Sequence, residues 1–219
     1  MGGAGGVIKN IINMDTNKII LDLCGGTGSW SKYYSEAGYD VKIITLPEYD
    51  VQSYIPPNNV YGIIAAPPCT MFSFARTRGN KSKRDLKIGM ELVIACLKII
   101  WECQYKIINQ YSQKSILKFW CLENPNGHLK YFLGKPVFEF DPYEFGDIYS
   151  KKTHLWGWFN NPIKTHGKET RTINNKFDKL SMKEINSISD NIYKNKITRQ
   201  DLRSITPKGF AQAFFKANK

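Results

Sequence analysis

The apolar run "KIILDL" (18–23) stops on the glycine-rich loop "CGGTG" (24–28), and a segment of helix length, "SWSKYYSEAGYD" (29–40), follows. That order constrains the fold more than any other feature of the chain. A short apolar strand that passes through a tight turn into a helix is half of a βαβ unit, and such units build parallel sheets covered by helices. The pattern recurs. "VKIIT" (41–45) and "YGIIAA" (61–66) read as further strands, the second halted by Pro67 and Pro68. The stretch 83–110 holds no proline and is dense enough in apolar residues for a packed crossover helix. "KFWCLEN" (118–124) is another strand ending in polar residues. The expected fold is α/β: a doubly wound, mainly parallel, Rossmann-like sheet with helices on both faces. Right-handed crossovers then bring the carboxyl ends of the strands along one edge.

Beyond about residue 135 the character changes. "PVFEFDPYEFGD" (136–147) is aromatic and reads as a strand plus turn, and "KKTHLWGWF" (151–159) as a strand. Residues 160–203 are polar with weak periodicity, and "TPKGFAQAFFKAN" (206–218) reads as a helix opened by proline. The expected organisation is a flexible tail at 1–16, an α/β body built from 17–159 and 204–219, and a small polar insertion at 160–203.

Composition narrows the function. A hydrophobic fraction of 42% over 219 residues suffices for a core. No window approaches the ~18 apolar residues of a membrane span. The start, "MGGAGG", lacks the basic and apolar regions of a signal peptide, and Gly6 stands where myristoylation favours Ser or Thr. Five cysteines without a CxxC pair argue against a disulfide framework and for a reducing, cytoplasmic setting. The three histidines are scattered and form no ligand pair, so no metal is expected. The net charge of +12, from 31 basic and 19 acidic residues, favours a polyanionic partner, most simply nucleic acid.

Three strand ends carry the chemistry. The loop after 18–23 suits a nucleotide-like ligand set against a helix N-terminus, because Gly25, Gly26 and Gly28 allow a tight turn and close approach. It is not the dinucleotide fingerprint, since Ser31 occupies the third glycine position, and the missing GK[ST] excludes a P-loop. Asp22 beside the turn suits a ligand with a cationic amine. The plainer reading is an ordinary βα turn. In "APPCTMFS" the two prolines stiffen the backbone before Cys69, as placing a nucleophilic thiol requires. The plainer reading is a buried structural cysteine, which suits Cys96 and Cys103, seven apart on one helix face. In "CLENPNGHL", Glu123 and Asn124 end another strand, where a carboxyl group can exchange a proton within the same cleft.

Taken in this order, the three elements resemble the cytosine-5 DNA methyltransferases, over roughly 18–157 and 203–218. "LDLCGGTGSWSKYYSEAGYDV" is similar to that family's motif for S-adenosylmethionine, "APPCTMFS" to its Pro-Cys motif, and "ENP" to its Glu-Asn-Val. "FGDIYSKKTHLW" resembles the segment that carries Gln-x-Arg-x-Arg, and "SITPKGFAQAFFKAN" the last motif, which returns to the cofactor. The resemblance implies a methyltransferase sheet and methyl transfer from S-adenosylmethionine to C5 of cytosine in a flipped-out base, with Cys69 bonding to C6 and Glu123 serving N3. It implies that Asp22, Cys24, Gly26, Thr27, Gly28, Leu46, Asp50, Pro67 and Thr206 form the cofactor site. Within that site Asp50 stands where the family meets adenine. Substrate contacts would come from Ser73, Arg76, Arg78, Asn124 and Lys152.

The chain departs from the family in three places. Leu46 and Pro47 follow "VKIIT", where an acid for the ribose is usual. Lys151 and Thr153 replace the two arginines, leaving Lys151 to polarise the cytosine O2 or meet phosphate; the plainer reading is solvated lysines on an edge strand. The target-recognition region is reduced to about 160–203, where Lys164, Lys168, Arg171, Lys176 and Lys179 suit phosphate, which positions nucleic acid without specifying it. The expected partner is therefore DNA, bound as single strands or with loose specificity, or with a protein partner that supplies recognition. The expected setting is protection from restriction or orphan modification. The alternatives are methylation of RNA cytosine or of free pyrimidine nucleotides, and an inactive module that binds DNA or S-adenosylmethionine on the same fold.

Overall fold

All five residues of β1 (Ile19–Leu23) are buried, as a central strand covered on both faces must be. The computed structural model describes residues 18–74, 84–105, 116–167 and 204–219. In chain order, β1 is followed by α1 (Lys32–Glu36), β2 (Asp40–Ile44), β3 (Val60–Ala65), α2 (Leu86–Tyr105) and β4 (Phe119–Pro125). Next come α3 (Lys130–Leu133), β5 (Phe138–Phe140), β6 (Thr153–Trp158) and α4 (Lys208–Ala217). Single 3-10 turns span Cys69–Met71 and Pro142–Phe145.

The strands form one sheet in the order β2-β1-β3-β4-β6-β5. The first four are parallel, and β6 is inserted antiparallel between β4 and β5. This is the doubly wound, mainly parallel, Rossmann-like sheet expected from the sequence. Alternation along the strands divides the core in two. Leu21, Leu23, Ile63, Ala65, Leu122 and Trp156 pack under α2 with Val93, Cys96, Ile99 and Ile100. Ile20, Ile64, Phe119, Cys121 and Leu155 pack on the other face under Trp30, Tyr34 and the α4 side chains Phe210, Ala211 and Phe214. Phe210 and Phe214 are fully buried and contribute about 1.5–3 kcal/mol each by removal from water. Among the described residues no helix is long and apolar enough to cross a membrane.

Two expectations change. The helix expected within 29–40 shrinks to the five residues of α1, because Ser29 and Ser31 are engaged by hydrogen bonds at the glycine loop and Gly38 ends the segment at a φ of +85°. The insertion at 160–203 is described only through 167, with no helix or strand there, and the tail at 1–16 lies outside the described residues.

Candidate active site

The strand order reverses between β1 and β3, since β2 lies to one side of β1 and β4 beyond β3. In open α/β sheets a ligand crevice opens at such a switch point, outside the carboxyl ends of the strands. The three elements singled out from sequence meet here, at the ends of β1, β3 and β4.

The glycine loop is built around Asp22, whose side chain is wholly buried. Ser31 Oγ donates to Asp22 Oδ2 at 2.5 Å, while Asp22 Oδ1 is buried with no hydrogen-bond partner. A Cβ at Gly25 would sit 2.4 Å from Asp22 Cγ, so only glycine fits against the carboxyl group. A Cβ on Gly28, at a φ of +68°, would press on Ile43. Gly26, at +52°, has open space on its Cβ side. Thr27 Oγ1 accepts from Ser29 N–H at 3.3 Å, inside the loop. Cys24 shapes the turn with a φ of +56°, and its N–H donates to Ile44 O. Its thiol points back toward α2, with Sγ 4.0 Å from Cys96 Sγ, and so toward the core face. Leu46 and Asp50 lie exposed after β2, where Asp50 Oδ1 accepts from Gln52 N–H at 2.9 Å. Thr206 reaches the loop from the far end of the chain, its N–H donating to Ser29 Oγ at 2.9 Å.

The Pro-Cys turn is clamped from three sides. Asn124 Nδ2 donates to Pro67 O at 2.9 Å. Arg84 spans two carbonyls, with Nη1 to Met71 O and Nη2 to Ser73 O, each at 2.9 Å. Ser73 forms a bridge with Gly127, and His128 N–H donates to Phe72 O. Cys69 starts the 3-10 turn, its carbonyl accepting from the N–H groups of Phe72 and Ser73. Proline geometry aims the turn, and these bonds hold it there.

Glu123 is the residue after Leu122, which pairs with Ala65 at the end of β3, so the Glu123 carboxyl and the Cys69 turn leave adjacent strand ends. Burial pushes the Glu123 carboxyl above its ordinary pKa, and the charge of Lys151 opposes that shift. Burial also pushes the neighbouring Tyr149 phenol well up, with Asp147 and Glu123 adding to the shift.

Two residues expected at the substrate have protein partners of their own. Asn124 is fully buried and serves the turn through Pro67, because its strand position places it on the α2 face, opposite Glu123. Lys152, its side chain half exposed, pairs with Glu139 at 2.7 Å, and Lys164 pairs with Glu144 at 2.9 Å. Lys151 and Lys152 are consecutive, and only Lys151 acts on Glu123. Arg76, Arg78, Lys168, Arg171, Lys176 and Lys179 lie outside the described residues. Sequence reasoning missed Arg84 and Gly127 in the clamp, and it also missed Asp147.

Asp147 fastens the last helix. Burial pushes its carboxyl up to about 6 against the pull of the Gly209 and Lys208 N–H groups, and Gly209 N–H donates to Oδ2 at 3.2 Å. A Cβ at Gly209 would lie 2.0 Å from Phe145 O, a backbone atom that cannot swing aside. Gly209→Ala is therefore expected to cost about 1–3 kcal/mol, read as a lower urea midpoint, with Thr206 drawn away from Ser29.

The pH dependence of stability follows from the same groups. Burial raises Asp22 to about 7 as well as Asp147 to about 6. A carboxyl raised on folding stabilises most below its unfolded value, and that contribution is lost as pH rises through the folded one. The urea midpoint is expected to gain from these two groups as pH falls from 7.5 toward 4, and Asp147→Asn is expected to flatten the part near 6.

Two solved methyltransferases share this outline. One is the Dnmt2 methyltransferase of S. pombe, 12% identical, covering 75% of this chain and 58% of its own, with a TM-score of 0.40. The other is the Entamoeba histolytica methyltransferase EhMeth, 12% identical, covering 68% of this chain and 56% of its own, with a TM-score of 0.39. The chain thus spans a little over half the length of either. No protein-family model and no curated protein sequence matches the chain. At that distance function has to be read from the site itself.

Proposed function

We propose that the chain is an S-adenosylmethionine-dependent methyltransferase that modifies C5 of cytosine in DNA. The carrying observation is the meeting, at one switch point, of a clamped Pro-Cys turn, a half-buried carboxyl near the end of the next strand and a glycine loop around a buried carboxyl group.

The loop fits the cofactor. Asp22 Oδ1 is a buried acceptor without a partner, suited to a cationic amine, and the bare Cβ sides of Gly25 and Gly28 keep the loop tight. Asp22, Gly26, Gly28 and the Thr206 segment would hold the methionine portion, with Asp50 toward the adenine. Bound S-adenosylmethionine supplies an electrophilic methyl carbon on a sulfonium.

The residues of the chain do the rest. Cys69 Sγ, as thiolate, forms a bond to C6, and the C5–C6 π electrons shift into the ring. Glu123, whose carboxyl is held above its ordinary pKa, would in its protonated form give a hydrogen bond or proton at N3, which takes up the negative charge and eases the attack. The addition makes C5 nucleophilic. Departure of the C5 proton to a base, then of Cys69 Sγ from C6, with any proton on N3 returning to Glu123, restores the aromatic ring, the thiolate and the protonated carboxyl. Lys151 opposes the Glu123 shift by its charge and would polarise the cytosine O2. A duplex hides these atoms, so a paired base must first leave the stack, which costs a few kcal/mol.

Trapping tests the proposal. A cytosine carrying fluorine at C5 cannot lose that substituent as a proton, so elimination stalls. Oligonucleotides of DNA and RNA containing 5-fluorocytosine are incubated with the protein and S-adenosylmethionine and resolved by denaturing electrophoresis. The expected result is a covalent DNA adduct that requires both Cys69 and the cofactor. Adduct formation with RNA alone would move the substrate to RNA, and its absence from both would overturn the covalent mechanism.

A further inference from the structure

We infer that the surface beside the Cys69 turn is a stacking platform for unpaired nucleotides, so that the substrate is taken as a single-stranded polynucleotide. This rests on the methyltransferase reading above and specifies its substrate.

The platform consists of Phe74, His128, Tyr131 and Lys130. Phe74 and Tyr131 are 38% and 71% exposed. The His128 ring meets Phe74 edge-on at 4.8 Å and lies 6.0 Å from Tyr131. The Lys130 ammonium stands over both flanking rings, 5.6 Å from Phe74 and 5.5 Å from Tyr131. The platform is anchored to the candidate nucleophile. Ser73, next to Phe74, bridges to Gly127, next to His128, and His128 N–H donates to Phe72 O. Below it, Phe132 packs on the buried Phe72 at 6.3 Å. A base held on the outer rings therefore lies next to the turn that carries Cys69.

The chemistry of the patch selects its partner. Phe74 and Tyr131 are exposed and His128 is half-buried between them, so the two outer rings are open to contact. In a duplex the faces of the bases are already stacked, whereas an unpaired base offers its face to an aromatic ring whatever its identity. A cation among the rings suits the phosphate between two such bases, and the chain's net charge of +12 favours the polyanion. A neutral apolar partner would gain nothing from Lys130. Stacking next to the turn also places the neighbouring nucleotide at Cys69 without any need to open a duplex.

The test uses the full chain and fluorescently labelled cytosine-containing 12-mers: single-stranded DNA, single-stranded RNA and duplex DNA. Binding is followed by anisotropy as a function of salt. Single strands are expected to bind more tightly than the duplex. Tyr131→Ala is expected to weaken single-strand binding by about tenfold or more, the loss of one stacked base, while Tyr131→Phe retains it. Lys130→Ala is expected to lower the salt slope by about 0.7, the value for one single-strand phosphate contact. The DNA and RNA arms identify the sugar. Duplex binding as tight as single-strand binding, or unchanged affinity in Tyr131→Ala, would overturn the platform. Calorimetry with S-adenosylmethionine runs alongside: no binding by the unaltered protein counts against the methyltransferase reading, and the anisotropy series still decides the platform.

Discussion

Cys69→Ser is expected to lower methyl transfer by at least about 10³-fold while leaving cofactor binding and the urea midpoint near those of the parent protein. The geometry explains why the effects separate. The turn is held by backbone carbonyls of Pro67, Met71, Phe72 and Ser73 and by the N–H groups of Phe72 and Ser73. None of those bonds uses the Cys69 side chain, so a hydroxyl in place of the thiol leaves the clamp intact. What is lost is nucleophilicity, because a serine hydroxyl is far harder to ionise than a thiol. Transfer of labelled methyl to an oligonucleotide measures the effect. A serine variant within tenfold of the parent would show that the thiol does not bond to the substrate.

Glu123→Gln is expected to cost about 10²–10⁴-fold in turnover, the usual worth of a positioned acid, and to change the shape of the pH profile. In the proposed mechanism Glu123 acts in its protonated form. Burial raises its pKa and enlarges the protonated fraction near neutrality, while Lys151 works against that. As pH rises through the folded value, the proton leaves and the rate falls. The glutamine variant keeps a hydrogen-bond donor but no proton to give, so its residual rate should lack that alkaline fall. Lys151→Ala supplies the complementary test. Removing the opposing charge raises the Glu123 pKa further and should move the fall to higher pH. An alkaline limb unchanged in both variants would assign it to another group.

Much of this site was legible because each part is marked by local chemistry. A glycine loop after a buried strand, two prolines before a thiol and a carboxyl at a strand end all announce themselves within a few residues. Parallel topology then brings strand ends together without any further information. The clamp was not legible. Arg84 sits at the start of a stretch whose apolar pattern says helix, and nothing local tells that its guanidinium turns back to Met71 and Ser73. The burial of Asn124 depends on β6 being inserted beside β4, which is a matter of strand order and not of pattern. Lys152 illustrates the same limit: its charge was visible, and its pairing with Glu139 depends on the β5–β6 register. Asp147 read as part of a turn, and its role at the N-terminus of α4 spans 62 residues.

The hydrogen bond from Thr206 to Ser29 joins positions 177 residues apart. It has a consequence for synthesis. The glycine loop leaves the ribosome well over a hundred residues before the segment that closes over it. A nascent chain can pair β1 with its neighbours early, since domains fold as units during translation. It cannot complete the cofactor side of the crevice until residue 206 has cleared the exit tunnel. Closure over the glycine loop thereby waits on a segment made much later, and a chain stopped before residue 206 would carry the Cys69 turn without that contact.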